Sequence, residues 1–328
     1  MNSSGKVLIL GASGGIGGEV ARRLVADNWQ VRALKRGAQM RDPEDGIQWI
    51  AGDALDGGQV AAAAAGCDVI VHAVNPPGYR HWRQQVLPML RNTLQVAERQ
   101  RALVVLPGTV YNYGPDAFPL IAEEAAQQPV TRKGAIRVAM ELALKDYVQR
   151  GGRALIVRAG DFFGPRAGNN WFSQGLVKPG QLPRIISYPG AIGVGHQWAW
   201  LPDVAATIAA LLARRRELEP FARFHMQGHW DLDGSEMSQA IQRVVARYGG
   251  RAVVKSFPWW LVKMAAPFNA TLREMVEMHY LWRLPVRLRN DKLVDFLGAE
   301  PHTPLDSAVY QTLQGLGCLP AGAINSEA

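Results

Sequence analysis

The segment KVLILGASGGIGGEVARRLVADNWQVRALKRG, residues 6–37, leaves little freedom in what this chain can fold into. Val7 to Leu10 form an unbroken apolar run of strand length, and Gly11, Gly14 and Gly17 follow at three-residue intervals. Val20, Ala21 and Leu24 then recur at helical spacing, and QVRALKR resumes a strand. A strand with no polar alternation is buried on both faces, which requires helices on both sides of a parallel sheet. The expected architecture is therefore α/β, a Rossmann-type doubly wound parallel sheet, with a smaller C-terminal α+β lobe built from the rest of the chain.

The glycines suit a phosphate-bearing ligand. Gly11 permits the tight turn, Gly14 and Gly15 bring bare backbone against a pyrophosphate, and Gly17 lets the helix close on the strand. Ser13 adds a hydroxyl donor and Ile16 lies beside it in the same loop. The helix N-terminus offers unpaired N–H groups and the positive end of its dipole. A dinucleotide is the expected ligand. Its type is read at the end of the second strand, where an acid holds the ribose hydroxyls of NAD. Here the residues are Lys35 and Arg36, with no acid. A cation there favours an added 2′-phosphate through charge-assisted hydrogen bonds, so NADP is expected in preference to NAD, with Arg36 as its contact.

The bulk properties exclude several classes. The chain has 328 residues, a formal net charge of +8 and two cysteines, Cys67 and Cys318, far apart in sequence. Neither cysteine stands in a metal-ligand or disulfide-framework spacing, and a cytoplasmic setting is expected. The apolar runs are too short for a signal segment or a membrane span; VAAAAAGCDVIVHAV is divided by Gly66 and Asp68. The cations are scattered, and the one cluster, ARRRELE at residues 213–219, ends an Ala/Leu helix and runs into acids. A solvated helix end is expected there, with no nucleic-acid or membrane partner. His225 and His229 are i, i+4 apart, but Gly228 and a strand-like pattern argue against a helical metal pair, so no metal site is expected. His72, inside an apolar strand, is expected in the core.

Beyond residue 37 the chain resembles the extended short-chain dehydrogenase/reductase family, also called the NAD-dependent epimerase/dehydratase family. The resemblance rests on AGDALD (51–56), CDVIVHAVNPP (67–77), LVVLPGTVYNYGP (103–115), ALIVRAGDFFGP (154–165), WAWLPDVAATIAALL (198–212) and FLGAEPHTPLDSAVYQTL (296–313), in that order. It spans about Lys6 to Gly317. It implies adenine-side contacts at Asp53 and Ala54, and contacts near the cofactor ribose at Ala73, Val74 and Asn75. It implies hydride transfer to or from a small carbonyl, hydroxyl or sugar-type substrate.

The same resemblance locates a departure. The family's reaction uses a Ser or Thr, and a Tyr and Lys four residues apart on one helix. Aligned on AMELAL, VTRKGAIRVAMELAL (130–144) carries Lys133 at the tyrosine position and Arg137 at the lysine position. Aligned on TVYNYG, Pro107 stands at the usual serine, with Thr109 two residues on. Arg137 can hold the nicotinamide ribose but cannot relay a proton, because guanidinium stays charged. Lys133 can act as an acid if desolvation lowers its pKa. Lys133, Arg137 and Glu141 share one helix face, a spacing that equally describes a surface helix with paired charges. Tyr111, in the loop after the strand, and His196, in the loop that the resemblance carries across the substrate pocket, are the other proton-donor candidates. Asp161 stands where the family keeps a small polar residue.

The nucleotide lobe is expected over residues 1–165, with 200–216 returning to it, and the smaller lobe over 166–320. The Gly/Pro/aromatic stretch 168–200 is expected to form a binding loop, with Trp171, Phe172, Trp198 and Trp200 walling a pocket or packing between lobes. Met275, Met278 and Leu281 fall near helical spacing, as core or a subunit contact would. No residue pattern reports the oligomeric state, and a homodimer stays open. Two functions follow: an NADP-dependent oxidoreductase or epimerase/dehydratase-like enzyme, or a catalytically inactive NADP-binding sensor or assembly protein.

Overall fold

The computed structural model describes residues 4–38, 45–76, 82–168 and 170–320. Pro77 and Asn169, which fall within the segments quoted above, lie outside them.

The chain opens with strand β1 (Lys6–Leu10), helix α1 (Gly15–Ala26) and strand β2 (Gln30–Lys35). Strand β3 (Ile47–Ala51), α2 (Gly57–Ala64), β4 (Val69–His72), α3 (Trp82–Gln100) and β5 (Leu103–Gly108) continue the alternation. A short β6 (Leu120–Ile121) precedes α4 (Arg132–Gln149), β7 (Arg153–Arg158) and β8 (Asp161–Phe163). Then come β9 (Ile185–Tyr188), β10 (His196–Trp200), α5 (Leu201–Ala213), β11 (Phe221–His225) and β12 (His229–Asp231). The remainder is α6 (Glu236–Ala246), β13 (Val253–Ser256), α7 (Trp259–Ala265), α8 (Ala270–Glu277), β14 (Arg287–Leu288), α9 (Asp291–Leu297) and α10 (Leu305–Gly315).

Among the described residues the main sheet has seven strands in the order β11-β7-β5-β4-β1-β2-β3, all parallel. This is the doubly wound arrangement expected from residues 6–37. The order reverses at β1 and β4, and a crevice opens at the strand ends there. Successive residues of β1 serve two cores. Val7 and Ile9 pack with Val20 and Leu24 of α1 and Val204, Ile208 and Leu211 of α5. Leu8 and Leu10 pack with Val60 of α2, Leu90 and Leu94 of α3 and Met140 and Leu144 of α4. Burial on both faces is what the unbroken apolar run demanded.

Helix α5 packs on the first lobe, where its sequence position was expected to return. The lobe boundary needs correction in one respect. Strand β11, assigned by sequence to the smaller lobe, pairs with β7 and forms the edge of the main sheet. The chain therefore enters the second lobe, comes back for both α5 and β11, and leaves again. The smaller lobe has its own core, where Phe163, Phe172, Trp198 and Trp282 meet Met237, Ile241 and Val309. Phe172, Trp198 and Trp200 are spent in that core, so of the aromatics expected around a pocket only Trp171 reaches one. Ser235 stands at the start of α6 without a side-chain cap bond, and Asp231 caps the helix, accepting from Glu236 N at 3.1 Å and Met237 N at 3.1 Å. Among the described residues no helix is long and apolar enough to cross a membrane.

A buried ion pair joins the lobe's elements behind α4. Arg158 at the end of β7 donates to Glu141 of α4 at 2.7 and 2.9 Å, and both residues are buried. Asn112 and Gln127 donate to the same carboxylate at 2.8 and 2.7 Å. Arg158 also donates to the Thr109 carbonyl and, at 3.2 Å, to His225 Nε2 on β11. Breaking such a pair from one side leaves a charge buried without compensation, which costs about 3–5 kcal/mol. Glu141→Ala is expected to lower the urea midpoint accordingly, and the double replacement Glu141→Leu/Arg158→Leu to recover much of the loss. An unchanged midpoint in Glu141→Ala would show that the pair contributes nothing.

Two buried histidines set an acid limit. Burial, with Arg137 nearby, lowers the His72 pKa to about 3, and burial with Arg158 lowers His225 well below its usual value. Both are neutral in the folded chain, whereas in the unfolded chain they titrate near the ordinary value of about 6.5. Their contribution is present above that pH and is lost as pH falls towards the folded values, by up to about 1.4 kcal/mol per pH unit for each. Urea midpoints measured from pH 7.5 down to 5 should fall steadily, and His72→Leu should flatten the trend.

Candidate active site

The crevice at the β1/β4 reversal continues into a cleft of about 1090 Å³ that runs between the lobes. That exceeds the roughly 300–1,000 Å³ of a site for one small ligand. Its floor is the glycine loop, where Gly11 at φ +93° makes the turn. A Cβ on Gly17 would stand 2.3 Å from the Gly11 carbonyl oxygen, so only glycine lets α1 come this close to the turn. Gly17 acts from behind the loop and is absent from the cleft lining, whereas Gly11, Ser13, Gly14, Gly15 and Ile16 all face it.

The other residues marked by sequence for a cofactor fall along one side of the same cleft. Arg36 stands at the end of β2, Asp53 and Ala54 just after β3, and Ala73, Val74 and Asn75 after β4. Lys35 lies over the Trp49 ring at 5.6 Å. Asp53 turns its carboxylate to its own backbone, accepting from Leu55 N at 2.9 Å. The group these residues fit is a nicotinamide dinucleotide. A Cβ on Gly14 would meet only the Gly11 oxygen, at 3.3 Å, and the rest of its surroundings is cleft.

Helix α4 forms the wall across from the loop. Thr131 caps it, accepting from Gly134 N at 3.0 Å, which fixes Lys133 in the first turn. A Cβ at position 134 would stand 2.2 Å from the Tyr111 carbonyl oxygen, so glycine is required for the helix start to seat against that loop. Lys133, Arg137 and Glu141 are all buried, although their spacing alone also described a surface helix. Lys133 and Arg137 line the cleft, and Glu141 continues the stripe into the ion pair with Arg158.

Distant residues hold the two cations. Arg137 approaches Asn75 Oδ1 at 3.5 Å and lies over the Trp82 ring at 5.2 Å. Lys133 Nζ stands 3.3 Å from Glu274 of α8, and Arg132 donates to Glu277 at 2.9 Å, so the second lobe's helix is tied to the first turn of α4. Burial pushes the Lys133 ammonium pKa down, Arg137 adds to this, and Glu274 and Glu277 push back. The result is below the ordinary lysine value.

Trp82 and Glu274 had no signal in the sequence. Each acts through a partner that is remote along the chain, and no local period reports such a contact. Met275, Met278 and Leu281, which sequence spacing assigned to core or a subunit contact, line the cleft together with Trp171, Phe257 and Trp282.

The remaining donor candidates separate. Tyr111 lines the cleft, as does Thr109. Tyr113 is fully buried beneath the Arg158 guanidinium, 5.1 Å from its ring. His196 corrects its sequence assignment. It lies on β10 behind the wall, stacked on Trp282 at 3.8 Å, and its Nε2 is 2.9 Å from Asp161 Oδ2. Asp161 and Trp282 face the cleft and His196 does not, because β10 turns it into the second lobe's core side.

The model of the NAD dependent epimerase/dehydratase family matches residues 7–224. A protein of Sinorhizobium fredii (strain NBRC 101917 / NGR234), y4nL, is 27% identical over 215 residues, which is 58% of this chain and 60% of that protein. Thus the alignment reaches less than two thirds of that relative's length. Among solved structures, UDP-glucose 4-epimerase from Bifidobacterium longum, in complex with NAD+ and UDP, superposes with a TM-score of 0.70 at 14% identity. The match covers 94% of this chain and 97% of that one. The dTDP-glucose 4,6-dehydratase DesIV from Streptomyces venezuelae, with NAD bound, gives a TM-score of 0.69 at 18% identity, over 94% and 96% of the two chains. At such identity the structures report a shared fold. Together with the glycine loop, the strand order and a family match over most of the chain, they lead to one assignment: this chain belongs to the NAD dependent epimerase/dehydratase family.

Proposed function

We propose that the chain is an NADP-dependent enzyme that exchanges hydride with a small carbonyl, hydroxyl or sugar-type compound, and that Lys133 is its proton donor. The observation that carries this reading is the buried pair Lys133 and Arg137 on the cleft wall, at positions where the family resemblance implies a tyrosine and a lysine. Bound nicotinamide supplies the hydride acceptor or donor. The protein supplies position, shelter from water and a proton.

Arg36 would hold the 2′-phosphate, with Ser13 and the backbone of Gly14 and Gly15 around the pyrophosphate. Asp53 and Ala54 lie on the adenine side, and Ala73, Val74 and Asn75 beside the ribose. Arg137, already turned towards Asn75, holds the nicotinamide ribose as a fixed charge. Lys133 gives its proton to a substrate oxygen as negative charge grows there, and burial has moved its pKa in the direction that this requires. Thr109 and Tyr111 can orient that oxygen from the loop. The apolar wall of Trp171, Met275 and Met278 favours a substrate with a nonpolar face.

A second reading, NADP binding without turnover, draws support from the ion pair itself: Glu274 engages the Nζ that a substrate would need. A panel of aldehydes, ketones and nucleotide sugars with NADPH separates the two readings. Tight NADPH binding with no oxidation across the panel would overturn the enzymatic one.

For the cofactor, Arg36→Ala is expected to weaken NADPH about 10–100-fold, the loss of a charged hydrogen bond, with NADH unaffected. Equal affinities for NADH and NADPH, unchanged in the variant, would refute the choice. For the donor, Lys133→Met is expected to lower kcat for carbonyl reduction by about 10²–10⁴-fold with NADPH affinity retained. The wild-type rate should fall as pH rises through the lowered lysine pKa, because the protonated form is the acid, and this alkaline limb should vanish in Lys133→Met. Lys133→Arg should not restore it, since guanidinium holds its proton.

A further inference from the structure

Three side chains outside the cleft converge where the two lobes meet. Asp203 is in the first turn of α5, His229 begins β12, and His302 lies in the loop between α9 and α10. One ligand atom from each falls within 4.8 Å of the others. The imidazoles of His229 and His302 have centroids 4.5 Å apart. None of the three faces the cleft.

His229 is the anomaly. It is 8% exposed, its Nε2 is buried, and that atom has no hydrogen-bond partner. A buried imidazole nitrogen with nothing to bind costs free energy that a structure rarely leaves uncompensated. Asp203 is oriented from outside the cluster, accepting from Thr303 N at 2.7 Å on Oδ2 and from Thr303 Oγ1 at 2.9 Å on Oδ1. Each carboxylate oxygen keeps a further lone pair, and such outer bonds are how metal-ligating carboxylates are held in place.

We propose that Asp203, His229 and His302 form a divalent transition-metal site that fastens α5, β12 and the α9–α10 loop together. Two imidazoles and one carboxylate are borderline donors, suited to Zn²⁺, Co²⁺ or Ni²⁺ and poorly suited to Mg²⁺ or Ca²⁺. Bonds of about 2.0–2.2 Å put the donors of a tetrahedral ion roughly 3.3 Å apart, closer than the observed limit. His302 is exposed and free to rotate inward over that gap, while His229 and Asp203 are fixed. Water fills the fourth position. The i, i+4 partner suggested by sequence, His225, is not a ligand: its ring is held by Arg158 and the Ile121 carbonyl.

The test is titration of Co²⁺ into the untagged, chelator-stripped full chain, followed by visible absorption and by thermal unfolding. One equivalent should bind with the absorption of a low-symmetry, four-coordinate ion and be displaced by Zn²⁺. A saturating excess should raise Tm by several degrees, as expected for a ligand of the folded state. His302→Ala should fold normally, because the side chain is on the surface, and should lose both responses. No absorption change and no Tm shift in the wild type would overturn the proposal, and so would responses that persist in His302→Ala.

Discussion

The ion pair between Glu141 and Arg158 is the interaction on which the candidate site depends. Two charges out of water are a liability unless each is fully hydrogen-bonded. Here the carboxylate is met by Arg158, Asn112 and Gln127, and the guanidinium by Glu141, the Thr109 carbonyl and His225. Burial works against the arginine's charge, and Glu141 together with Tyr113 more than offsets it. The partners come from α4, β7, β11, the loop after β5 and the loop between β6 and α4, so the network fixes one arrangement of five segments. Arg137 and Lys133 are one and two turns away from Glu141 on the same helix face. Their position at the cleft is therefore set by an ion pair that never touches it.

This explains why the helix reads poorly from its own residues. Buried cations and an acid on one face look, in sequence, like an exposed salt-bridged helix. Only the family resemblance, counting back from AMELAL, singled out Lys133 and Arg137, and both line the cleft. Residues 6–37 were the opposite case. There every local signal, apolar run, glycine interval and helical repeat, agrees with the parallel sheet, and the structure follows it strand by strand. Strand β11 was misassigned because its edge position depends on β7, remote in sequence, and not on its own pattern. His196 was misplaced for a similar reason: it lies on β10, and the direction of its side chain depends on how that strand packs against β8 and β12.

The cleft also shows a division of labour between the lobes. The first contributes polar and cationic groups: the glycine loop, Arg36, Lys133 and Arg137. The second contributes the apolar wall of Trp171, Phe257, Met278 and Trp282, and two carboxylates, Asp161 and Glu274. A sheet whose strands end in a crevice can hold a dinucleotide by backbone and charge alone. The shape of the other half then depends on packing in the second lobe, where Trp282 stacks on His196 and approaches Trp171 to 5.3 Å. Under the proposed function, substrate choice resides in that lobe and cofactor choice in the first.

Glu274 links the two. It opposes the effect of burial on Lys133, so the acidity of the proposed donor is set by a helix of the substrate lobe. Withdrawing that carboxylate, or engaging it with a substrate hydroxyl, leaves Lys133 facing burial and Arg137 with only Glu277 in opposition. Both lower its pKa. A substrate that competes for Glu274 would thus make the lysine a stronger acid at the moment its proton is needed, while an empty cleft keeps the proton in place. Under the proposed function, the donor's acidity is thereby coupled to the contact between α4 and α8, and so to the seating of the second lobe on the first.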